Sequence, residues 1–315
     1  MSRVAVTSRS FSSNSTLCAE LRKRYVNVTF NDAGLKLDGE RLIAFLKGHD
    51  KAITGLETLD DAVFSSLPEL TTISKYGVGL DMIDLPAMAR RGIRLGWTGG
   101  VNKRSVSELV IAFAIALLRN IPLLHNEVAG GGWRALTGKQ LTDRTVGIIG
   151  CGHIGKDLAC LLRAFGCRVL AHDILDFAEF YAEHGIEATS LEKLLKTADV
   201  VTLHLPLDNS TENILSAERL SMLKPEAILI NTARGGLVDE AALKTMLKEN
   251  RLAGAAFDVF AVEPPEDAEL LALANFLATP HIGGSSEEAI LSMGRAAING
   301  LDDNCVPEIN PVSRR

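Results

Sequence analysis

Along the chain, short apolar runs rich in Val, Ile and Ala alternate with longer segments in which apolar positions recur every three to four residues. The runs suit strands buried on both faces of a sheet. The longer segments suit helices with one apolar face, and their alternation is the pattern of βαβ units built on a parallel sheet. Arg3–Ser8, Val26–Phe30, Lys51–Gly55, Thr71–Tyr76 and Ile93–Trp97 are predicted as a first series of strands. The pattern restarts at Thr145–Gly150 and continues through Arg168–His172, Val200–Leu205, Ala227–Thr232 and Gly254–Asp258, with a last strand near Phe276–Thr279. The expected fold class is therefore α/β, with two Rossmann-like, doubly wound parallel-sheet domains in tandem.

Between the two series lies Ser105–Asn120, a long apolar helix with Ser105, Ser107 and Glu108 in its first turn, which opens the second domain. After His281, Ser285 followed three residues later by Glu288 has the spacing of a capping box. That last helix follows the final strand of the second series, so it can either complete the second domain or return to the first. Val306–Arg315, with two prolines and two terminal arginines, is expected to be a loose end.

Length and charge narrow the classes of function. At 315 residues the chain is about two domains long. Its 33 Lys and Arg against 39 Asp and Glu leave a net charge of −6, which speaks against a nucleic-acid partner, since that needs a clustered basic face. The longest apolar run, Leu109–Leu118, is half of the roughly 20 residues needed to span a membrane, so no membrane association is expected. The five cysteines include no C-x-x-C pair, and neither a metal site nor a disulfide framework is expected. Met1-Ser2-Arg3-Val4 leads directly into a strand-like pattern without a signal-peptide core, so a cytoplasmic location is expected.

Chemistry enters at Thr145-Val-Gly-Ile-Ile-Gly150-Cys-Gly152-His153-Ile154-Gly155, a β-branched strand running through G-x-G-x-x-G into a helix. Gly150 suits the tight turn, Gly152 lets backbone approach a pyrophosphate, and Gly155 allows close packing of helix on strand. Backbone N–H groups at the helix start then face the anion. Asp173, 18 residues after Gly155, ends the next strand where a carboxylate can accept from ribose hydroxyls and repel a 2′-phosphate. No arginine follows in Ile174-Leu-Asp176, so the expected cofactor is NAD rather than NADP.

Three later segments place polar groups at carboxyl ends of strands: Ile230-Asn-Thr232-Ala233-Arg234-Gly-Gly, Phe257-Asp258-Val-Phe-Ala-Val-Glu263-Pro, and Thr279-Pro-His281-Ile-Gly283-Gly284. Reduction of a 2-keto acid calls for this set of an arginine, a carboxylate and a histidine. The guanidinium can hold a carboxylate bidentately. The imidazole can deliver or remove a proton near neutral pH. A glutamate on its other nitrogen fixes the tautomer and favours the protonated ring, and Glu263 is the expected partner of His281. His204, which ends the strand in Thr202-Leu-His-Leu-Pro206, can line the cofactor pocket or pack in the core.

Taken together, Gly77-Val78-Gly79-Leu-Asp81-Met-Ile-Asp84, Asn102-Lys-Arg-Ser105-Val-Ser-Glu108, the fingerprint glycines, Leu203-His-Leu-Pro-Leu207, Asn231-Thr-Ala-Arg234-Gly-Gly, Asp258-Val-Phe with Glu263-Pro, and Pro280-His281-Ile-Gly-Gly resemble the D-isomer-specific 2-hydroxyacid dehydrogenase family. The resemblance covers nearly the whole chain and points to the short phosphoglycerate dehydrogenase-like members. It implies Arg234, Glu263 and His281 as catalytic residues. Cofactor contacts are implied at Gly150, Gly152, His153, Ile154, Gly155, Asp173, His204, Pro206, Thr232, Ala233, Asp258, Gly283 and Gly284, with Asp258 near the nicotinamide amide. The backbone N–H groups of Val78 and Gly79, with Lys75 and Asn102 nearby, are implied to meet a small anionic 2-hydroxy or 2-keto acid.

The resemblance also implies a discontinuous substrate domain, 1–100 with 285–315, into which a cofactor domain at 101–284 is inserted. A homodimer through the cofactor domain is implied as well, with Ser105–Asn120 and Ala129–Trp133 as contact surfaces. The chain departs from the family pattern in two places. His153 stands where an arginine is frequent, which makes a side-chain contact to pyrophosphate weaker or pH-dependent. Ile53-Thr-Gly-Leu-Glu57-Thr lacks the phosphate-binding arginine of many phosphoglycerate dehydrogenases, leaving Lys75, Lys103 and Arg104 as candidates to meet a substrate phosphate. Hydroxypyruvate, glyoxylate and 3-phosphoglycerate all stay open as substrates. A phosphite-type dehydrogenase using Lys75 and a non-enzymatic NAD-sensing corepressor are the alternatives.

Overall fold

The computed structural model describes residues 1–307. The chain divides into two units, one made of residues 1–102 with the stretch from 284 onward and the other of residues 103–283.

The first unit is a five-stranded parallel sheet of β1 (Arg3–Val6), β2 (Asn27–Phe30), β3 (Lys51–Thr54), β4 (Thr72–Lys75) and β5 (Arg94–Gly96), in the order β2-β1-β3-β4-β5. Successive side chains on a strand point to opposite faces, and both faces here are covered by helices. Ala5, Ala52 and Ile73 therefore pack with Leu42, Leu46, Phe64 and Met88, while Val4, Val6 and Ile53 pack with Phe11, Leu17 and Leu21. The helix Glu287–Gly300 belongs to this second layer, where Ala297, Ile298 and Leu301 are buried. Ser74 Oγ donates to the Ala297 carbonyl at 2.6 Å, and Cys305 pairs with Leu95 of β5. The end of the chain thus returns to the first sheet. Gly96 and Gly300 are in backbone contact there, and neither has room for a Cβ.

The second unit has seven parallel strands: β6 (Thr145–Ile149), β7 (Arg168–His172), β8 (Glu187–Ala188), β9 (Val200–Leu203), β10 (Ile228–Asn231), β11 (Gly254–Phe257) and β12 (Phe276–Ala278). Their order is β12-β11-β10-β9-β6-β7-β8. The direction of winding reverses between β6 and β9, and an open α/β sheet binds ligands at the carboxyl ends of the strands at such a point. Val146, Ile148, Ile228 and Ile230 face the helices Lys103–Leu118 and His153–Ala164, whereas Ile149, Val201 and Leu229 face the opposite layer.

Three details differ from the sequence reading. The strand β8 has only two residues, both exposed, so no apolar run marks it. The last helix is capped by Ser286, whose Oγ accepts from the Ala289 N–H at 3.1 Å, one residue later than the Ser285–Glu288 pattern suggests. The long apolar helix runs over Lys103–Leu118, and Asn120, with φ of 53°, starts a second helix at Ile121–Ala129. Of the expected loose end, Pro307 is buried and residues 308–315 lie outside the described residues. No single helix among the described residues is long and apolar enough to cross a membrane.

Candidate active site

The fingerprint turn follows directly from its glycines. Gly150 has φ of 93°, and a Cβ there would press on the His204 carbonyl. A Cβ on Gly155 would overlap the Gly150 carbonyl, so the helix starting at His153 can sit against the turn only with glycine at that position. Around Gly152 the space is open, with no atom within 4 Å of a built Cβ. The 12-residue helix directs its first N–H groups toward that space, as an anion site requires. Asp173, just after β7, is held against the turn: one carboxylate oxygen accepts from Cys151 N–H at 2.6 Å and the other from Leu175 N–H at 2.9 Å.

At the carboxyl ends of β9 and β10, His204 Nδ1 and Thr232 Oγ1 are buried without a protein partner. Buried polar atoms are normally hydrogen-bonded, so a pair of orphans on the ligand edge of the sheet fits a bound dinucleotide. His204 Nε2 lies 3.0 Å from Thr202 Oγ1, and burial pushes its imidazole down to about 3, leaving the ring neutral. His153 behaves differently. Its side chain is exposed, yet partial desolvation and the ammonium groups of Lys103 and Lys156 hold its imidazole below the usual range.

Arg234, Glu263 and His281 come from three successive strand ends, after β10, β11 and β12. Asn231 shapes the first turn, accepting from Ala233 N–H at 3.1 Å and donating to the Arg234 carbonyl at 2.8 Å. Gly235 lies so close to the backbone of Phe260 and Ala261 that a Cβ could not fit, and this brings the arginine turn onto the segment leading to Glu263. Glu240 supports that segment by accepting from Ala261 N–H at 2.9 Å. Glu263 Oε1 accepts from Phe260 N–H at 3.2 Å, and Oε2 lies 3.0 Å from His281 Nδ1. Both side chains of this pair stay open to solvent, at 47% for His281 and 41% for Glu263.

Asp258, expected beside the nicotinamide amide, is engaged inside the protein. It is 1% exposed, and its carboxylate accepts from Thr279 Oγ1 at 2.5 Å and from the N–H groups of Ile282 and Gly283, each at 2.7 Å. Its backbone carbonyl accepts from His281 N–H at 2.9 Å. His281 has φ of 55°, a region costly for a residue with a Cβ, and these four bonds from the loop to Asp258 hold it there. Sequence reasoning gave no role to Asn231, Glu240 or Thr279. The short polar side chains of Asn231 and Thr279 at strand ends were the available signal.

In the first unit, Lys75 is 3% exposed; its ammonium donates to the Gly55 carbonyl and lies 3.2 Å from Met82 Sδ. Of the two other cations considered for a phosphate, both in the second unit, Arg104 makes a bidentate pair with Asp157, both contacts at 2.9 Å, and Lys103 is exposed. Glu57, in the loop after β3, folds back to accept from Gly55 N–H at 2.6 Å. Val78 and Gly79 are partly exposed, and Asn102 Oδ1 is buried without a partner.

A model of the family described as "D-isomer specific 2-hydroxyacid dehydrogenase, NAD binding domain" matches residues 111–283. The chain is 36% identical over 263 residues to a D-3-phosphoglycerate dehydrogenase of Methanocaldococcus jannaschii, a match covering 82% of this chain and 50% of that one. It therefore spans about half the length of that relative. A glyoxylate reductase of Korarchaeum cryptofilum is 36% identical over 252 residues, covering 78% of this chain and 76% of that one. The solved structure of a D-lactate dehydrogenase from Aquifex aeolicus, complexed with NAD and lactic acid, superposes with a TM-score of 0.82 at 26% identity, covering 94% and 93% of the two chains. The chain belongs to the D-isomer specific 2-hydroxyacid dehydrogenase family, with residues 111–283 in its NAD-binding domain.

Proposed function

We propose that the protein is an NAD-dependent dehydrogenase that interconverts a small D-2-hydroxy acid and its 2-keto acid. The observation that carries this reading is the Glu263–His281 pair at 3.0 Å, with Arg234 on a neighbouring strand end of an NAD-binding fold. Bound NADH supplies the hydride to the keto carbon. With Nδ1 of His281 held by Glu263, Nε2 is the nitrogen left to give a proton to the keto oxygen, and it takes that proton back in the oxidation. Arg234 orients the substrate through a charge-assisted contact to its carboxylate and polarises the carbonyl. In the first unit, the N–H groups of Val78 and Gly79 are donors for a carboxylate. Gly152, Ile154 and Gly155 give the backbone cradle for the pyrophosphate, and Asp173 receives the adenosine ribose.

Several features favour a short, unphosphorylated substrate of the glyoxylate or hydroxypyruvate kind. Lys75 is buried on a backbone carbonyl and Arg104 is committed to Asp157, which leaves the exposed Lys103 of the three candidate cations, and the loop after β3 offers Leu56 and Glu57 in place of a cation. The buried position of Lys75 also counts against the phosphite alternative. A self-associating surface is favoured by the helix Ile121–Ala129, which buries none of its residues although it carries Ile121, Leu123, Leu124 and Val128, and by Trp133, 92% exposed just beyond it. We propose a homodimer through this face, to be read as twice the chain mass in sedimentation.

The function is tested by following NADH and NADPH oxidation with glyoxylate, hydroxypyruvate, pyruvate and 3-phosphohydroxypyruvate. Turnover with NADH on the first two is expected. NADH binding without turnover on any of the four would replace the enzyme by an NAD sensor. NADPH as the better cofactor would overturn the role given to Asp173.

A further inference from the structure

We propose that Trp97 is a positioning residue that fixes the direction in which the Gly79 amide points, and with it the capacity of the Val78–Gly79 loop to hold a carboxylate. The inference rests on the reading above, in which that loop receives the substrate anion.

The loop leaves β4 at Tyr76, whose N–H donates to the Thr54 carbonyl at 2.8 Å, and is pinned again at Met82, whose carbonyl accepts from Leu59 N–H at 2.8 Å. Between these anchors the chain turns out through Gly77, with φ of 124°. Trp97 comes from the neighbouring strand: β4 and β5 pair Ser74 with Gly96, so the next residue stands beside the start of the loop. Its ring packs against the apolar layer that contains Ile73 and Met88, and its indole Nε1–H donates to the Val78 carbonyl at 3.0 Å.

Two elementary facts turn this single bond into a switch of orientation. In a trans peptide the C=O and the following N–H point in opposite directions, so a Val78 carbonyl held by the indole sends the Gly79 N–H the other way. The indole is a donor only, so it cannot accept from the loop if that peptide turns over. Rotation of the 78–79 peptide changes ψ of residue 78 and φ of residue 79. Glycine at 79 tolerates either sign of φ, which leaves the turned form sterically open. In that form the Gly79 N–H would face the indole N–H, donor against donor, and the substrate carboxylate would meet a carbonyl oxygen. Trp97 thus selects the donor-outward orientation of a peptide that its glycine would otherwise leave free to turn. A tryptophan suits the task because its ring is rigid and anchored in the core.

The test uses the full chain with Trp97→Phe, which keeps an anchored ring and removes the donor, and Trp97→His, which restores a ring N–H. The measurements are kcat and KM for glyoxylate and hydroxypyruvate, competitive inhibition by oxalate, NADH affinity and thermal midpoint. Trp97→Phe is expected to raise KM and the oxalate inhibition constant about tenfold, the scale of one lost hydrogen bond to an anion site. NADH affinity should stay within about twofold of the parent, a change small on the scale of one hydrogen bond, with partial recovery of KM in Trp97→His. Unchanged KM and oxalate inhibition in an active Trp97→Phe would overturn the positioning role. So would a joint loss of NADH affinity, kcat and thermal midpoint in both variants, since that describes a merely structural tryptophan. A parent protein inactive on every keto acid would instead overturn the dehydrogenase reading, and this proposal with it.

Discussion

The two units have similar sheets and use the carboxyl edges of those sheets in opposite ways. In the first, three ionisable side chains at the ends of β3 and β4 are turned inward: Lys75 is on the Gly55 carbonyl, Glu57 on the Gly55 N–H, and the Tyr76 hydroxyl lies 3.2 Å from Ser10. What that edge offers is backbone, in the loop 77–80. In the second, the backbone at the ends of β10, β11 and β12 is committed to holding side chains in place, through Asp258, Asn231 and Glu240, and what these strand ends present is the side chains of Arg234, Glu263 and His281. The difference follows from what each task demands. Holding an anion needs fixed donors with no change of charge, which peptide N–H groups supply. Moving a proton needs a group that changes its charge near neutral pH, and such a group must be oriented by others.

The sharpest way to break this contrast is at Arg234, where side-chain shape matters as well as charge. Arg234→Lys keeps the charge and loses the planar fork, and kcat/KM for the keto acid is expected to fall about 100-fold in steady-state assays. A fall of less than about threefold, small on the scale of a lost bidentate contact, would make the arginine a general surface cation.

A smaller effect is expected at Asp258. Asp258→Asn puts an NH2 group against N–H donors, so the His281 loop loses at least one bond. A loss of about tenfold in kcat and about 1–3 kcal/mol in stability to urea is expected. Retained stability and kcat would mean that the left-handed backbone of His281 is held by something else.

The smallest effect concerns His153, and its sign can be worked out. Desolvation with Lys103 and Lys156 lowers its pKa in the free protein, so near neutral pH the imidazole is uncharged. A pyrophosphate at the helix start favours the protonated form, so NADH binding takes up protons there. Affinity should therefore rise as pH falls from about 8 toward 6, by about two- to threefold, and His153→Gln should remove the slope in titrations monitored by fluorescence. An unchanged slope in His153→Gln would place the linked proton on another group.

How far the sequence was legible follows from the same physics. Strands such as Val200–Leu203 and Ile228–Asn231 are buried along their whole length, so an apolar run marks each of them. The edge strand Glu187–Ala188 buries nothing and leaves no such mark. Ser285 and Ser286 are adjacent, and the pattern with Glu288 pointed to the wrong one, because the entry angle of the chain decides which hydroxyl reaches a free N–H. Arg234, Glu263 and His281 were legible as residue types at strand ends. What Asp258 does was not, since its partners are two backbone N–H groups and a threonine more than 20 residues away. The bond from Trp97 to the Val78 carbonyl was equally invisible, because only the pairing of β4 with β5 brings the two together.

The central claim is that the second unit presents His281 as the proton-transfer group while the fold around it binds the cofactor independently. It is tested most directly by measuring single-turnover NADH oxidation and NADH affinity in His281→Ala beside the parent. A loss of about 1,000-fold or more in the rate of oxidation, with NADH affinity unchanged, is expected from removing a general acid held in place. A variant that still oxidises NADH within about tenfold of the parent rate, far less than loss of a general acid costs, would contradict the account.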